Sequence, residues 1–439
     1  MDKIKEVKVI GGGLAGAEAS YYLANHGIKV KLYDIKPTEF TPAHKSQNYG
    51  ELVCSNSLKS NDIFGNASGL MKEEMRMLGS LIIEAGDKTR VPAGNALAVD
   101  REKFSEYITD KIKNHPNIEC INQRIDEINF DEYTIIATGP LTTSNLANSI
   151  KKVVGEGLCF FDASAPIVDF ESIDMDNAFF GDRWDKGNGD HIKCPMDKDE
   201  YIAFIDALTS AEKAKLHGFE NSAVFEGCMP IEVMATRGQD TLRFGPLKPA
   251  GLTNPKTGRW PYACLQLRKE DENGTMYNLV GFQTNLLWGE QKKVFSLIPA
   301  LKNAEYLRFG VMHRNTFINS PKVLDKTFCL KEHKKTYFAG QITGVEGYVE
   351  SAGSGLLSAI YLERAINNKE QVLISEKTGL GSLIKYITTE NKDFQPMNAN
   401  FGILPPLDKI VRDKAQRKRE QAERSLSEIS VFKEKINND

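Results

Sequence analysis

The fold is set by residues 7–34, VKVIGGGLAGAEASYYLANHGIKVKLYD. The β-branched run Val7–Ile10 meets three glycines, and residues 17–25 then have the small, helix-compatible composition of an α-helix. A glycine stop ends that helix, and the alternating run Ile28–Tyr33 predicts a second strand with Asp34 at its end. Strand, helix and strand together have the length of a βαβ unit, which indicates a parallel sheet.

The turn of this unit carries the pattern G-x-G-x-x-G. Glycines there permit a tight turn, close approach of a pyrophosphate and close packing of helix on strand, and the helix amides then face the phosphates. An acid at the end of the second strand binds ribose hydroxyls, which argues against a 2′-phosphate at this site. The stretch predicts a dinucleotide site made by Gly11, Gly12, Gly13, Leu14, Ala15, Gly16 and Asp34.

Two further glycine turns favour FAD over NAD as the dinucleotide. One follows the apolar strand Tyr133–Ala137, and the other lies in residues 339–355, AGQITGVEGYVESAGSG, before a C-terminal helix. A helix that opens near Gly347 would place its positive end beside the flavin pyrimidine ring. The alternative is that these glycines only pack helix on sheet. The predicted further cofactor contacts are Gly139, Gly340, Gln341 and Gly347.

Composition places the chain among globular proteins. It has 439 residues, of which 41% are hydrophobic and 26% charged, so collagen-like, disordered and membrane-embedded classes are excluded. The net charge of -3 means that any nucleic-acid contact must come from a local patch. The first residues lack the apolar run of a secretory signal and no run of about 18 apolar residues follows, so we expect a cytoplasmic protein without a membrane partner.

The predicted fold class is α/β: a Rossmann-type, glutathione-reductase-like FAD-binding domain with an inserted α+β domain. Short strands with Gly/Pro turns in the middle of the chain indicate the insertion, and the strand before Gly340 indicates that the first fold is completed near the C-terminus. Residues 37–69 are polar and rich in Pro, Asn, Ser and Gly, which predicts a long loop over a site. We expect the FAD-binding domain in 1–80, 125–185 and 325–439, and the inserted domain in 81–124 and 186–324.

Two of the seven cysteines lie in settings that suit reactivity. Cys54 lies inside the polar loop, and Cys228 lies between a glycine and the Met-Pro of EGCMP. Composition alone leaves packing and reactivity equally open for these two, whereas Cys120, Cys159, Cys264 and Cys329 have the pattern of small buried hydrophobes. Since no CxxC pair occurs, we expect reduced thiols and neither a disulfide framework nor a zinc ribbon.

Several long segments between about residues 6 and 407 resemble the TrmFO family, the bacterial folate- and FAD-dependent tRNA uracil-5-methyltransferases related to MnmG/GidA flavoproteins. The segments are VIGGGLAGAEAS, ELVCSNSLKS, FEGCMPIEVMA, RFGPLKP, YNLVGFQTNL, GVMHRNTFINSP and YFAGQITGVEGYVES. The family often has Glu where this chain has Asp34, and the segment Ser351–Gly355 is less bulky than the family pattern. Neither difference removes the FAD prediction.

The resemblance implies methylenetetrahydrofolate as carbon donor, reduced FAD as hydride source, NADPH or NADH as the reductant of FAD, and a T-loop uridine of tRNA as acceptor. Uracil C5 is a poor nucleophile, so a thiolate that adds to C6 would create an enolate able to attack an electrophilic methylene. The resemblance implies Cys228 for that thiolate and Cys54 for removal of the C5 proton. The residues alone do not decide which cysteine has which role.

Basic residues with interleaved aromatics in the inserted region predict an RNA surface. The candidates are Arg237, Arg243, Lys248, Arg259 and Arg268, with Trp260 and Tyr262 between them. Solvated surface charge is the alternative for each. Three alternatives to tRNA methylation also stay open: the same chemistry on a uridine of 23S rRNA, a flavin NAD(P)H oxidoreductase for small molecules, and an RNA-binding flavoprotein without catalysis.

Overall fold

The computed structural model describes residues 5–41, 43–53, 56–93, 95–155, 158–181, 183–185, 191–214, 230–269, 274–391 and 394–438. The chain forms two compact units, unit 1 (Met1–Phe160 and Asn315–Asp439) and unit 2 (Phe161–Arg314). The strands are β1 (Glu6–Ile10), β2 (Lys29–Asp34), β3 (Ser57–Ser60), β4 (Arg90–Val91), β5 (Ala96–Val99), β6 (Ile118–Asn122), β7 (Thr134–Ile136), β8 (Leu158–Ser164), β9 (Ile167–Asp169), β10 (Phe179–Phe180), β11 (Ile192–Met196), β12 (Ala263–Lys269), β13 (Met276–Leu279), β14 (Tyr306–Arg308), β15 (Val311–Ile318) and β16 (Thr336–Phe338). The helices are α1 (Leu14–Asn25), α2 (Ala67–Met77), α3 (Leu81–Lys88), α4 (Arg101–Lys113), α5 (Ser144–Val154), α6 (Lys198–Ser210), α7 (Ile231–Thr236), α8 (Trp288–Phe295), α9 (Ser320–Val323), α10 (Tyr348–Ile366), α11 (Gly379–Thr388) and α12 (Lys414–Asn437).

Unit 1 is built on a parallel five-stranded sheet in the order β16-β7-β1-β2-β6. The register places Ile10 opposite both Tyr33 and Ile136, and Ile136 opposite Phe338, so four strands end at the same edge. A parallel sheet with crossover helices is the predicted α/β fold class, which is confirmed. In such sheets ligands bind outside the carboxyl ends of the strands.

Close contacts that only glycine permits hold α1 on the sheet. A Cβ added to Gly16 would lie 1.8 Å from the carbonyl oxygen of Gly11. A Cβ on Gly355 in α10 would lie 2.3 Å from the carbonyl oxygen of Ala15. Since real Cβ atoms cannot approach so closely, these glycines let α1 lie against its own turn and against α10.

Two buried glutamates fasten helices to one another in unit 1. Glu18 of α1 accepts hydrogen bonds from the Ser80 hydroxyl and from the amides of Leu81 and Ile82, at the start of α3. Glu74 of α2 does the same at the start of α11. Carboxylates suit helix N-termini, yet burial raises the pKa of Glu18 to about 7 and that of Glu74 to about 6. Each contact therefore depends on pH.

Unit 2 contains a six-stranded antiparallel sheet in the order β10-β11-β12-β13-β9-β14. Its core includes the rings of Phe204, Phe282 and Phe295, which come from α6, from the loop after β13 and from α8. Strands β8 and β15, which pair with each other, carry the chain between the units. This combination of antiparallel strands and helices agrees with the α+β class predicted for the inserted domain.

The unit boundaries differ from the predicted domain boundaries at three places, one of which is residues 315–324, which belong to unit 1. Residues 81–124 belong to unit 1, because they end in β6, which pairs with β2 in the parallel sheet. Residues 161–185 belong to unit 2, because β9 and β10 are strands of the antiparallel sheet. The predicted loop 37–69 also contains β3, which pairs with β5. Among the described residues, no helix has both the length and the apolar character needed to cross a bilayer.

Candidate functional site

A cavity of about 220 Å³ opens at the carboxyl edge of the parallel sheet in unit 1. Its lining includes the turn between β1 and α1, the end of β2, the loop after β7 and the loop after β16, together with parts of the loop 41–53, residues 123–125 and the start of α10. The predicted cofactor residues that line the cavity are Gly11, Gly12, Gly13, Leu14, Ala15, Asp34, Gly139, Gly340 and Gln341. The sheet register thus brings together segments that are far apart in the sequence.

Two predicted cofactor residues do not line the cavity. Gly16 lies against the Gly11 carbonyl, where its role is packing. Gly347 is the residue before α10, with φ 119°, and a Cβ there would lie 2.3 Å from the carboxylate of Glu350. Tyr348 and Ser351, in the first turn of that helix, do line the cavity. Helix α10 therefore begins at the cavity, and Gly347 contributes only through the backbone conformation that precedes the helix.

The start of α1 has the features of an anion site. Gly13 is its N-cap and no side chain caps the first turn. A Cβ on Gly13 would have no atom within 4 Å and would project into open space beside the cavity. The free amides of a helix start and the positive end of its dipole attract phosphate. The glycine turn is a cradle with room for a pyrophosphate.

Asp34 is fixed by the backbone on both carboxylate oxygens. Its Oδ2 accepts a 2.7 Å bond from the Gly12 amide, and its Oδ1 accepts a 2.9 Å bond from the Lys36 amide. The side chain is buried, with 8% of the residue exposed, and it lines the cavity. Because each carboxylate oxygen has a further lone pair, Asp34 keeps acceptor capacity for ribose hydroxyls.

Two buried oxygens in the cavity wall have no hydrogen-bond partner among the described residues. They are Thr143 Oγ1, just before α5, and Glu51 Oε2. A buried polar atom without a partner is costly, so both indicate a polar ligand. The sequence interpretation missed them, although Thr143 immediately precedes the helical run SNLANSIKKVV, as an N-cap residue does. The wall as a whole fits a dinucleotide.

An ion pair between the exposed side chain of Lys59 and the buried side chain of Glu350 ties β3 to the first turn of α10. Glu350 is fully buried, and its Oε1 accepts bonds from Lys59 Nζ at 2.9 Å and from the Ala399 amide at 3.0 Å. Lys59 has the left-handed φ of 64°, and strained backbone of this kind persists where neighbours hold it. Lys72 holds it, since its Nζ donates to the carbonyls of Leu58 and Ser60. The segment that follows Cys54 is thereby anchored beside the cavity's helix.

The predicted catalytic residues Cys54 and Cys228 lie outside the described residues. Among the other cysteines, Cys194, Cys264 and Cys329 are buried. Burial raises the pKa of Cys264 and of Cys329 to about 12, which keeps both as thiols. These three cysteines are packed in the interior as small apolar side chains.

The predicted RNA residues of unit 2 are placed in different ways. Arg237, Lys248 and Arg259 are exposed. Arg243 is half-buried: it donates to the Tyr262 carbonyl and to Asp240, and its guanidinium lies 3.7 Å from the centroid of the Tyr262 ring. Arg268 lies on β12, five residues beyond Ala263 and so about 17 Å along the strand. The five residues do not form one cluster.

Exposed tryptophans accompany the basic residues. Trp260 contacts Trp184 edge to face at 5.3 Å, and the two are 51% and 58% exposed. The Trp184 amide donates to the Gly251 carbonyl, and Arg183 donates to the carbonyls of Lys248 and Ala250. The pair is therefore held in place while it faces solvent. Trp184 was missed from the sequence, where its loop has only a polar, glycine-rich composition.

Comparisons with known proteins agree with this architecture. The family model described as "Glucose inhibited division protein A" matches residues 6–370. A Methylenetetrahydrofolate--tRNA-(uracil-5-)-methyltransferase TrmFO of Acetivibrio thermocellus is 54% identical over 98% of this chain and 99% of its own length. The TrmFO of Listeria monocytogenes serovar 1/2a is 55% identical over 98% of this chain and 100% of its own. The structure of Aquifex aeolicus GidA in its form II crystal has the same fold, with a TM-score of 0.51 and 15% identity over 99% of this chain and 74% of that one. The chain belongs to the TrmFO family, within the wider family of Glucose inhibited division protein A.

Proposed function

We propose that the protein methylates C5 of a uridine in tRNA, with methylenetetrahydrofolate as the carbon donor and reduced FAD as the reductant. The observation that carries the proposal is the cavity of unit 1, where the glycine turn, Asp34 and two unpartnered oxygens fit a dinucleotide. The curated relatives that cover nearly the whole chain are named for this reaction. The T-loop as acceptor and NADPH or NADH as the source of electrons are parts of the proposal.

The residues of this chain bind the dinucleotide and orient it. The amides at the start of α1 bind the pyrophosphate, and Asp34 accepts from the ribose hydroxyls. When bound, FAD supplies the two electrons that convert the transferred methylene into a methyl group. In the net reaction the uridine C5–H bond would be replaced by C5–CH3, with tetrahydrofolate and oxidised FAD as the other products.

The two cysteines of the proposal act on the pyrimidine. The Cys228 thiolate adds to C6 and makes C5 nucleophilic, and Cys54 removes the C5 proton after the new carbon bond has formed. Loss of that proton lets the bond between the new carbon and its donor break, and hydride addition to the resulting exocyclic methylene then expels the Cys228 thiolate from C6. The anchoring of β3 on α10 through Lys59 and Glu350 supports a fixed position for the segment that follows Cys54.

RNA recognition is proposed for the exposed basic and aromatic residues of unit 2. Lys248 and Arg259 supply phosphate contacts, and Trp260 with Trp184 supplies faces on which unpaired bases stack. Arg243 acts through Tyr262 as part of the fold of this surface. Such a patch is needed because the net charge of -3 gives no overall attraction to RNA.

The test is nucleoside analysis of tRNA and rRNA from cells that lack the gene, combined with assays of the purified protein. We expect loss of 5-methyluridine from tRNA, a yellow purified protein, and no methyl transfer by the Cys228→Ser variant although its FAD is retained. Cys120→Ser, at a half-buried cysteine on β6, is the matched control and keeps activity. Loss of the nucleoside from rRNA alone would contradict the tRNA assignment, and full activity of Cys228→Ser would contradict the chemistry.

A further inference from the structure

Three aromatic rings form a stack at one edge of unit 2. Trp288 begins α8, and its ring lies 5.5 Å from that of Phe309 with an interplanar angle of 13°. Phe309 lies 5.1 Å from Tyr306 with an angle of 9°. Phe309 is thus the central ring, while Trp288 is 62% exposed. A ring added on the solvent side of Trp288 would continue the stack.

The stack is held rigidly before any ligand binds. Gln291, one turn into α8, is fully buried, and its amide donates to the carbonyls of Leu286 and Gly310 at 2.8 and 2.7 Å. Its Oε1 accepts a 2.8 Å bond from the Gly310 amide. The residue after Phe309 is therefore tied to the helix that carries Trp288. A preformed site loses little conformational entropy on binding.

Positive charge lies beside the rings. A cavity of about 480 Å³ is lined by Lys292, Lys302, Asn303, Ala304, Glu305, Tyr306 and Phe309. Lys292 follows Trp288 by one helical turn and so lies on the same face of α8. Both lysines are exposed, and neither side chain has an ion-pair partner among the described residues. By contrast, Lys293 on the same helix pairs with Glu290.

We propose that this site binds one unstacked nucleotide of the RNA substrate, with the base on the exposed face of Trp288 and the phosphate at Lys292 and Lys302. The inference rests on the proposed RNA function and adds a contact outside the patch that the sequence indicated. Flat rings beside cationic side chains are the usual means of holding single-stranded nucleotides, whatever the base. Trp288 is 62% exposed, although tryptophan is highly buried on average.

The experiment measures binding of labelled tRNA to the full FAD-loaded protein by fluorescence anisotropy. Trp288→Ala should weaken binding by roughly tenfold, because one base–aromatic stack is lost. Trp288→Phe keeps a smaller ring and should recover part of the affinity. Leu297→Ala removes an exposed apolar side chain of unit 2 that belongs neither to the stack nor to the lining of the cavity, and it should leave the dissociation constant unchanged.

The lysines are tested through the dependence of affinity on salt. The double variant Lys292→Gln with Lys302→Gln should reduce the magnitude of the slope of log affinity against log salt by roughly 0.7 to 0.9 per lysine. The reason is that each lysine that binds a phosphate releases counterions from the RNA, and the glutamine that replaces it does not. Lys293→Gln is the matched control on the same helix and should leave the slope unchanged. If Trp288→Ala does not fold, as judged by its circular dichroism and FAD content, Trp288→Phe and the lysine pair decide the question.

Three outcomes would overturn the inference. Equal tRNA affinity of Trp288→Ala and the unaltered protein would do so while leaving the proposed function intact. A higher KM of Trp288→Ala for NADPH with unchanged tRNA affinity would assign the stack to a nicotinamide dinucleotide instead. Failure of the unaltered protein to bind tRNA would remove the proposed function itself, and this inference with it.

Discussion

The cavity of unit 1 and the proposed RNA surface of unit 2 offer phosphates different kinds of contact. In the cavity the contacts come from the backbone: Gly13 leaves the helix start open, and Asp34 is fixed by two amides. On the surface they come from long, exposed side chains such as Lys248 and Arg259, beside tryptophans that face solvent. The cavity is formed by glycines, which have no side chain, and the surface is formed by long side chains that project into solvent.

This difference predicts two kinds of response to substitution. A backbone cradle has no freedom to adjust, so one added methyl group disturbs either the fold or the ligand. Exposed cations act through screened electrostatic attraction, so each one contributes a small part that depends on salt. Substitutions in unit 1 should therefore have large effects, and those on the surface of unit 2 should have graded effects.

The largest expected effect is that of Gly16→Ala. Its new methyl carbon would lie 1.8 Å from the Gly11 carbonyl oxygen, so α1 must move away from the sheet. We expect the free energy of unfolding of unit 1 to fall by about 3 kcal/mol or more, with loss of bound FAD. Urea unfolding and the flavin absorbance of the purified protein measure the two effects.

Gly13→Ala is the matched variant in the same turn. A methyl group there meets no protein atom within 4 Å but projects beside the cavity. The stability without FAD should stay as it is, while FAD affinity falls by roughly tenfold or more because a phosphate contact is crowded. If both variants lost stability equally, the distinction between packing and cradle glycines in this turn would be wrong.

A second prediction concerns the pH dependence of the helix contact that supports the cavity. Burial raises the pKa of Glu18 from 4.5 to about 7, so the folded state holds its proton more tightly than the unfolded state. Its favourable contribution is complete below pH 4.5 and is lost as the pH rises through 7, which amounts to about 3 kcal/mol. Hydrogen exchange in α1 and α3 should therefore speed up over this range beyond the intrinsic pH effect.

Glu18→Gln should remove most of this dependence, because the side chain can no longer ionise. Glu106→Gln, at an exposed glutamate on α4, is the control and should leave the dependence in place. Peptides from unit 2 serve as an internal reference. A Glu18→Gln protein whose exchange in α1 still followed the same pH curve would contradict the assignment to this carboxyl group.

The sequence predicted those parts of the fold that depend on local patterns. The unit β1–α1–β2 was predicted with its glycine turn and with Asp34 at the end of its second strand. The cavity followed from it because parallel strands bring their carboxyl ends to one edge. Asp34 and Gly340 needed no further information, since Asp34 is the last residue of β2 and Gly340 lies two residues beyond the end of β16.

What the sequence missed depends on long-range pairing. The assignment of β6 to the parallel sheet comes from its pairing with β2, which no local pattern encodes. The ion pair of Lys59 with Glu350 joins residues 291 positions apart. The Trp288 stack depends on Gln291, whose partner Gly310 lies beyond the end of its helix. Periodicity and composition describe one element at a time, so such contacts stay hidden.

The smallest expected effect separates two arginines of the predicted RNA patch. Arg259 is exposed and its side chain has no ion pair among the described residues, so Arg259→Gln should lower the slope of log affinity for tRNA against log salt by roughly 0.7 to 0.9. Its melting temperature should not change. Arg243→Gln should instead lower the stability of unit 2 by about 1 to 2 kcal/mol, because its bonds to Tyr262 and Asp240 are lost.

Salt-dependent anisotropy and thermal unfolding of the two variants together decide whether residue type or placement determines the role. Both residues are arginines from one stretch of sequence, yet only Arg243 places its guanidinium 3.7 Å from an aromatic ring of its own unit. An arginine whose side chain already binds groups of its own unit displaces few counterions from the RNA when RNA binds. Equal salt slopes for the two variants would mean that Arg243 also contacts phosphate, and the surface of unit 2 would then include the half-buried cations.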